Sequence, residues 1–439
     1  MAAASEKHWV MLVAGSKRWK NYRHQANVCH AYKIMHQNGV PDDQIVVMMY
    51  DDIAYNPKNP YPGNIINKPN GPDVYPRVPK DYTGEDVTPE NFLAALTGDR
   101  SAVRKRGPKK VITSDKNDTI FVYLTDHGSP GLFGFPNSTL YAHDLITAIK
   151  KMVKNHQFSK MVIYLESCHS GSMFAHLPSN VHVYAVTSTK ANEKGYACYH
   201  DRVRKTFLSD EFSAVWMDYK ETVNLEIVTF QDQFHNLQKK MKKSCSCRFG
   251  DMTVSKRPIS EFLKNTPRRQ RNKPQELVLT DLTSTHDVPF KILNHRIETE
   301  TDAGRRQDLI RKLDALHRTK AKIERTVEAI TRYFPSVAED ELDGDYSSAI
   351  DLQDFKTVAE HFRTRCFNWH EEEFQMTLSY MHVFAHLCAC GIEVEKYVYH
   401  DTIQHHSPKI EIDFLMDLLT SSWFFDIKVV TYANYTFVF

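Results

Sequence analysis

What most constrains this chain is the character of its strands. Apolar, β-branched-rich runs occupy 9–14 (WVMLVA), 45–50 (IVVMMY), 119–124 (TIFVYL), 161–165 (MVIYL) and 181–186 (VHVYAV). They lack the alternation of a half-exposed strand, so both faces of each must be covered. Helical patterns at 22–37, 88–97 and 141–154 stand between them. Uniformly apolar strands separated by helices predict an α/β fold, a mostly parallel sheet flanked by helices. The stretch 54–87 is crowded with Pro, Gly and Asn and predicts a long irregular loop, a length that compact domains usually reserve for function.

The texture changes near residue 250. Residues 1–254 hold the α/β pattern, and 255–305 are rich in Pro, Arg and Thr and read as a linker. Residues 306–404 carry helical stripes, including Leu309, Leu313, Leu316, Ile323, Val327 and Ile330, then Phe355, Val358 and Phe362. They predict a small all-α domain, and 405–439 form a tail of no assigned role. The 439 residues have a net charge of +2, which gives no field for nucleic acid or an anionic membrane. The basic runs RKRGPKK, KKMKK and PRRQRNK lack an aromatic platform and read as solvated loop. No apolar run is long enough to span a bilayer, and no signal peptide is visible at the N-terminus. The eight cysteines show no disulfide framework. The pairs in CSC and CAC are too close for a zinc knuckle, and HVFAH lacks the metalloprotease Glu, so no metal is expected.

Ligands of open α/β sheets bind beyond the carboxyl ends of the strands. There the 119–124 strand runs into TDHGSPG and the 161–165 strand into ESCHSGS, which brings His127 and Cys168 to one edge. A thiol at a strand end has backbone N–H groups free to meet an oxyanion, and an adjacent imidazole can activate it. Cys168 is therefore the candidate nucleophile and His127 the general acid/base, with the N–H groups of Gly128 and Cys168 as oxyanion hole. The reaction class is acyl transfer, which needs no cofactor. Ser167 and Ser170 stand as rival nucleophiles outside any G-x-S-x-G elbow, and His169 as a rival base.

At these residues the chain resembles the legumain family of asparaginyl endopeptidases. The similarity lies in HWVMLVAGSKRWKNYRHQANVCHAY, NGVPDDQIVVMMYDDIAYNPKNPYPG, FVYLTDHGSPG and YLESCHSGSMF, and extends to YACYHD and HFRTRCFNWH, across roughly residues 7–400. The resemblance implies a caspase-like catalytic domain, an activation segment and a helical prodomain capping the active site. It implies Asn21 as the residue orienting His127, and Arg23, His24, Glu166 and Asp210 as the specificity pocket. A carboxamide offers an acceptor oxygen and a donor NH2, which suits Arg on one side and carboxylates on the other. The implied activity is a cysteine endopeptidase cutting after Asn, and after Asp at acid pH, made as a zymogen. The implied partners are peptide substrates, the chain's own prodomain and cystatin-type inhibitors, and the implied compartment is lysosome, vacuole or secretion. Sequons at Asn117, Asn137 and Asn434 are compatible with it.

The chain departs from the family pattern in several places. His169 follows the nucleophile where the family has Glu, and would act as a second cation beside Cys168 or point away. Lys194 and Gly195 precede YACY where relatives have Ser-Ser; a Lys in the pocket wall would unbalance its charge. Cys366 and Cys388 lack their usual partners. The family's activation Asn corresponds to Thr301, followed by Asp302, with Asn294 nearby. Two alternatives follow: a catalytically silent binding protein, and a peptide ligase using the same acyl-enzyme.

Overall fold

The computed structural model describes residues 6–105, 107–263, 276–331 and 349–390, and the backbone of 430–432 and 435–437. In chain order the first half runs β1 (His8–Ala14), α1 (Tyr22–Gln37), β2 (Ile45–Met48), α2 (Pro89–Leu96) and β3 (Thr119–Thr125). It continues through the short strands β4 (Gly128–Ser129), β5 (Leu132–Gly134) and β6 (Thr139–Tyr141) to α3 (Ala142–Lys154), β7 (Lys160–Glu166) and β8 (Val183–Thr187). Then come β9 (Tyr196–Asp201), β10 (Thr206–Asp210), α4 (Glu211–Thr222), α5 (Phe230–Lys240), β11 (Cys247–Gly250) and α6 (Met252–Ser255). The remainder comprises β12 (Thr283–Ser284), α7 (Val288–Thr299), α8 (Ala303–Thr331), α9 (Leu352–Arg365), α10 (Met381–Ala389) and the hairpin β13 (Val430–Tyr432) with β14 (Tyr435–Phe437).

The main sheet has the order β11-β8-β7-β3-β1-β2, with only β11 antiparallel to its neighbour. This is the mostly parallel sheet that the apolar runs require. Successive residues of a strand point to opposite faces. Val10 and Leu12 join one core with Tyr22 and Ala26 of α1 and Trp216 of α4, while Trp9, Met11 and Val13 join another with Phe92 of α2 and Ile149 of α3. Helix α2 starts with Thr88 accepting from the Asn91 N–H and Pro89 in its first turn, a cap worth about 1 kcal/mol. The register puts Ala14 beside Thr125, Thr125 beside Glu166, and Leu165 beside Thr187. The carboxyl ends therefore form one edge. Strand order reverses between β1 and β3, which opens the crevice where ligands sit.

Helices α8–α10 form a third core, with Ile323, Val327, Phe355, Phe362 and Phe384 among its buried members. Leu132 and Tyr141 of the small β4–β5–β6 sheet belong to that same core, so the helices are seated on the α/β part. Leu309 and the second half of the α8 stripe are buried; Leu313 and Leu316 are half-buried. Among the described residues of the 255–305 segment, β12 pairs antiparallel with β9, and α7 buries Val288 and Ile292 against Ala197 and Phe207. Apart from the β13–β14 hairpin, the tail expected at 405–439 lies outside the described residues. Among the described residues no helix is long and apolar enough to cross a membrane.

Candidate active site

Strand β7 stops at Glu166 because the next residues turn sharply. His169 has φ 54, a left-handed conformation, and leads into a 3-10 turn at Ser170–Phe174. Hydroxyls pin the turn: Ser188 Oγ and Thr189 Oγ1 both donate to the Ser167 carbonyl at 3.1 Å, and the Ser170 N–H donates to Thr189 Oγ1 at 2.8 Å. Ser167 Oγ donates to the Cys168 carbonyl and Ser170 Oγ pairs with Thr189 Oγ1, so both rival nucleophiles are engaged in holding the loop. Cys168 is 2% exposed. Its Sγ accepts from the Gly195 N–H at 3.2 Å and lies 2.8 Å from Thr285 Oγ1. Burial pushes the thiol above its usual range, with the Thr285 and Gly195 contacts opposing.

Beyond β3, Asp126 and His127 lead into β4. A side chain on Gly128 would strike Ser167 Oγ at 2.5 Å and the Cys168 carbonyl at 2.8 Å, so only glycine lets the two loops meet. The Gly134 N–H donates to the His127 carbonyl, which makes Gly128 a non-hydrogen-bonded position opposite Phe133 and leaves its N–H out of that ladder. His127 Nε2 sits 2.9 Å from Asn21 Oδ1, and Asn21 Nδ2 donates to the Lys17 carbonyl at 3.0 Å. Burial holds the His127 imidazole well below its ordinary pKa, with Arg23 and Lys20 adding to it.

Helix α1 carries the next layer. Arg23 is fully buried, and its Nε donates to Asp210 Oδ1 at 2.7 Å. Asn27, one turn on, donates to Asp210 Oδ2 at 2.9 Å. Glu166 accepts from Tyr123 Oη at 2.9 Å, from the Ser213 N–H at 3.0 Å and from Ser213 Oγ. Burial, with the Asp210 charge second, pushes the Glu166 carboxyl up to about 8. Asp210 is also raised by burial, against the pull of Arg23. A small pocket lies among Glu166, Asp210, Ser167, Gly195, Tyr196 and Thr285, and Arg23 Nη2 is buried without a hydrogen-bond partner among the described groups. His24 stacks edge-on to His127 and touches Ser16, Asp126 and Asp210 at 2.7, 3.2 and 3.8 Å. Burial, with Arg23 second, holds its imidazole well below the ordinary pKa. His24, Asp126 and His127 bring a nitrogen or oxygen atom each within 4.8 Å of one another.

Two expectations need correction. Lys194 is not in the wall of that pocket: its exposed side chain lines the neighbouring cavity with His169, His286 and His382. His169 is not a second cation, since burial lowers it to about 3 and its Nδ1 is bonded to the Ala191 carbonyl at 2.9 Å. All eight cysteines are free, Cys366 and Cys388 included.

Sequence reasoning also missed residues. Asn27 was discoverable, because four residues from Arg23 on a helix is the same face. Thr285 was not, since nothing in LTDLTSTHD announces that it would lie against a thiol 117 positions earlier. The segment around it enters the crevice as a strand, with Thr283 opposite Ala197 and the Thr285 N–H donating to the Gly195 carbonyl at 3.0 Å. Residues 369–372 of the helical region fill the other side, next to Asn21 and His127.

Comparison with known proteins identifies the chain's family. The peptidase C13 family model matches residues 8–270. Rat and human legumains are each 43% identical, over 391 and 392 residues, covering 87% of this chain and 88% and 89% of their own. The vacuolar-processing enzyme beta-isozyme of Arabidopsis thaliana is 35% identical over 411 residues, covering 88% and 84%. Among solved structures, caspase-1 from Spodoptera frugiperda aligns at a TM-score of 0.34 and 8% identity, over 56% of this chain and 88% of its own. The chain belongs to the peptidase C13 family and is a cysteine-type endopeptidase acting on protein substrates.

Proposed function

We propose that the chain is a legumain-like endopeptidase that cuts after Asn and is held closed by its own C-terminal half. The observation that carries the specificity is the pocket beside Cys168, built from the buried carboxyls of Glu166 and Asp210 with Arg23 bonded to the latter. A carboxamide presents an acceptor to the guanidinium and a donor to the carboxyls. With Asn21 Oδ1 accepting at Nε2, the His127 proton sits there and Nδ1 is left as the base.

The Cys168 sulfur attacks the Asn carbonyl carbon, and the oxyanion is met by the Gly128 and Cys168 N–H groups. His127 then delivers the thiol's proton to the leaving amine as the C–N bond breaks, leaving a thioester. Water, deprotonated by His127, attacks the thioester; the acid leaves and the thiol recovers its proton. Thr285 against Sγ and the helical region beside His127 support a closed state. A lysosomal or vacuolar compartment fits the names of the relatives and an acid-activated zymogen.

The test uses two fluorogenic peptides differing only in Asn or Ala before the scissile bond, with wild type and Cys168→Ala, after exposure to about pH 4.5. Asn-selective turnover lost in Cys168→Ala is expected. Turnover without Asn preference would overturn the pocket, and full activity in Cys168→Ala the nucleophile.

A further inference from the structure

The His127 side of the crevice carries charge that the chemistry above does not use. Lys20 directly precedes Asn21, and Arg18 lies two residues further back in a left-handed conformation, φ 75. In the closed chain both cations meet one prodomain carboxylate. Arg18 Nη1 is 3.3 Å and Lys20 Nζ 3.8 Å from the Glu372 carboxylate, and Lys20 Nζ also donates to the Glu372 carbonyl at 3.2 Å. Glu372 is the middle of three consecutive glutamates, 371–373. The same cavity is walled by Asn21, His127, Arg18, Lys20 and Glu372, so the acidic loop lies beside the imidazole that protonates the leaving amine. On the reading above, the residues after the scissile bond leave past that imidazole.

We infer that Arg18 and Lys20 form a subsite for an acidic residue at the first or second position after the cleaved bond, which Glu372 fills in the closed chain. The inference rests on the endopeptidase reading above. The charges around the subsite support it. Lys17 lines the same cavity. Lys58 and Lys205 border the adjoining cavity of about 1030 Å³, as does Arg204, which is paired with Asp201 at 3.4 Å. The acids of the α/β part there are Asp126 and Asp52. Asp126 is buried with its carboxyl held well above the usual range. Asp52 already accepts from the Arg18 N–H at 2.6 Å and from Gln25 Nε2 at 2.7 Å. His370, also in the cavity, is lowered to about 4 by burial. When Glu371–Glu373 leave, the rim keeps its cations and has no free carboxylate among these groups. Lys20 is lowered by burial only to about 8, so it is charged wherever an acid protease works.

The experiment compares acid-activated enzyme on Asn peptides carrying Glu or Gln at each of the two positions after Asn. For one position kcat/KM should favour Glu by about five- to tenfold, mainly through KM, as two partly exposed ion pairs allow. The preference should grow from about pH 4 to pH 6 as the peptide Glu ionises near 4.3, and shrink in high salt. In Arg18→Gln/Lys20→Met the Glu-to-Gln ratio should fall to near one, a comparison in which any general loss of activity cancels. Equal rates on Glu and Gln peptides in wild type, or a ratio unchanged in the double variant, would overturn the subsite alone. Cleavage of none of the Asn peptides would overturn the endopeptidase reading and the subsite with it.

Discussion

Glu166 and Asp210 sit behind one pocket with the Arg23 guanidinium bonded to Asp210, and burial raises both carboxyls. The Glu166 carboxyl, raised by burial to about 8, binds a proton in the folded state that it releases above about 4.3 when unfolded. Its contribution to stability is therefore complete below that value and is lost as pH rises through 8. The melting temperature should drop by several degrees between about pH 5 and 8. Glu166→Gln, which fixes the neutral form, should flatten that part of the curve, as calorimetry on both proteins would show. An unchanged slope would mean that Glu166 is ionised in the fold. Residue-scale placement was legible where a motif ended a strand, as with His127 and Cys168. Lys194 was placed wrongly because one position along β9's approach decides which cavity a side chain enters, and that depends on a turn no local pattern encodes.

Strand β12 is only two residues long, yet it docks the segment that touches the thiol. The Thr285 N–H to Gly195 carbonyl bond at 3.0 Å and the Thr285 hydroxyl at Sγ both vanish in Thr285→Pro, which lacks donor and hydroxyl. In the full chain at neutral pH, Cys168 in this variant should react with a thiol reagent about tenfold faster, read by mass spectrometry. Equal labelling rates would show that the segment does not guard the sulfur. The main strands and helices were visible in the sequence because their period and apolar character are set by burial on one or two faces; α1 fell at 22–37 as read. The order in 276–299 was not, since β12 and α7 form only by packing on β9 and β10. Tertiary contact, more than propensity, decides such short elements.

Across the whole molecule, the junction of the α/β part, the 276–299 segment and the helices is rich in histidine. His169 and His382 stack at 6.5 Å, and His286 shares their cavity with Lys194, Lys320, Asp287 and Glu324. Burial, with Lys194 second, lowers His286 to about 4. Its neutral form is built into the closed state, so the stability it lends is present above about 6.5 and is lost as pH falls toward 4. For one such histidine this amounts to about 2 kcal/mol at pH 5. His286→Gln should shift the acid midpoint for activation downward by a few tenths of a pH unit, followed by the rate of peptide cleavage after stepwise acidification. A midpoint that stays in place would assign the pH response to other groups.

The seal around Cys168 has a consequence in redox terms. Peroxide attacks the thiolate, and only where it can reach it. With Cys168 2% exposed, its ionisation suppressed by burial and Thr285 against its sulfur, this arrangement keeps peroxide from the thiol. If the proposed zymogen opens by withdrawing Thr285, the working enzyme should lose activity to peroxide faster than the form it came from, so the contact that would delay activity would also preserve the atom that activity needs.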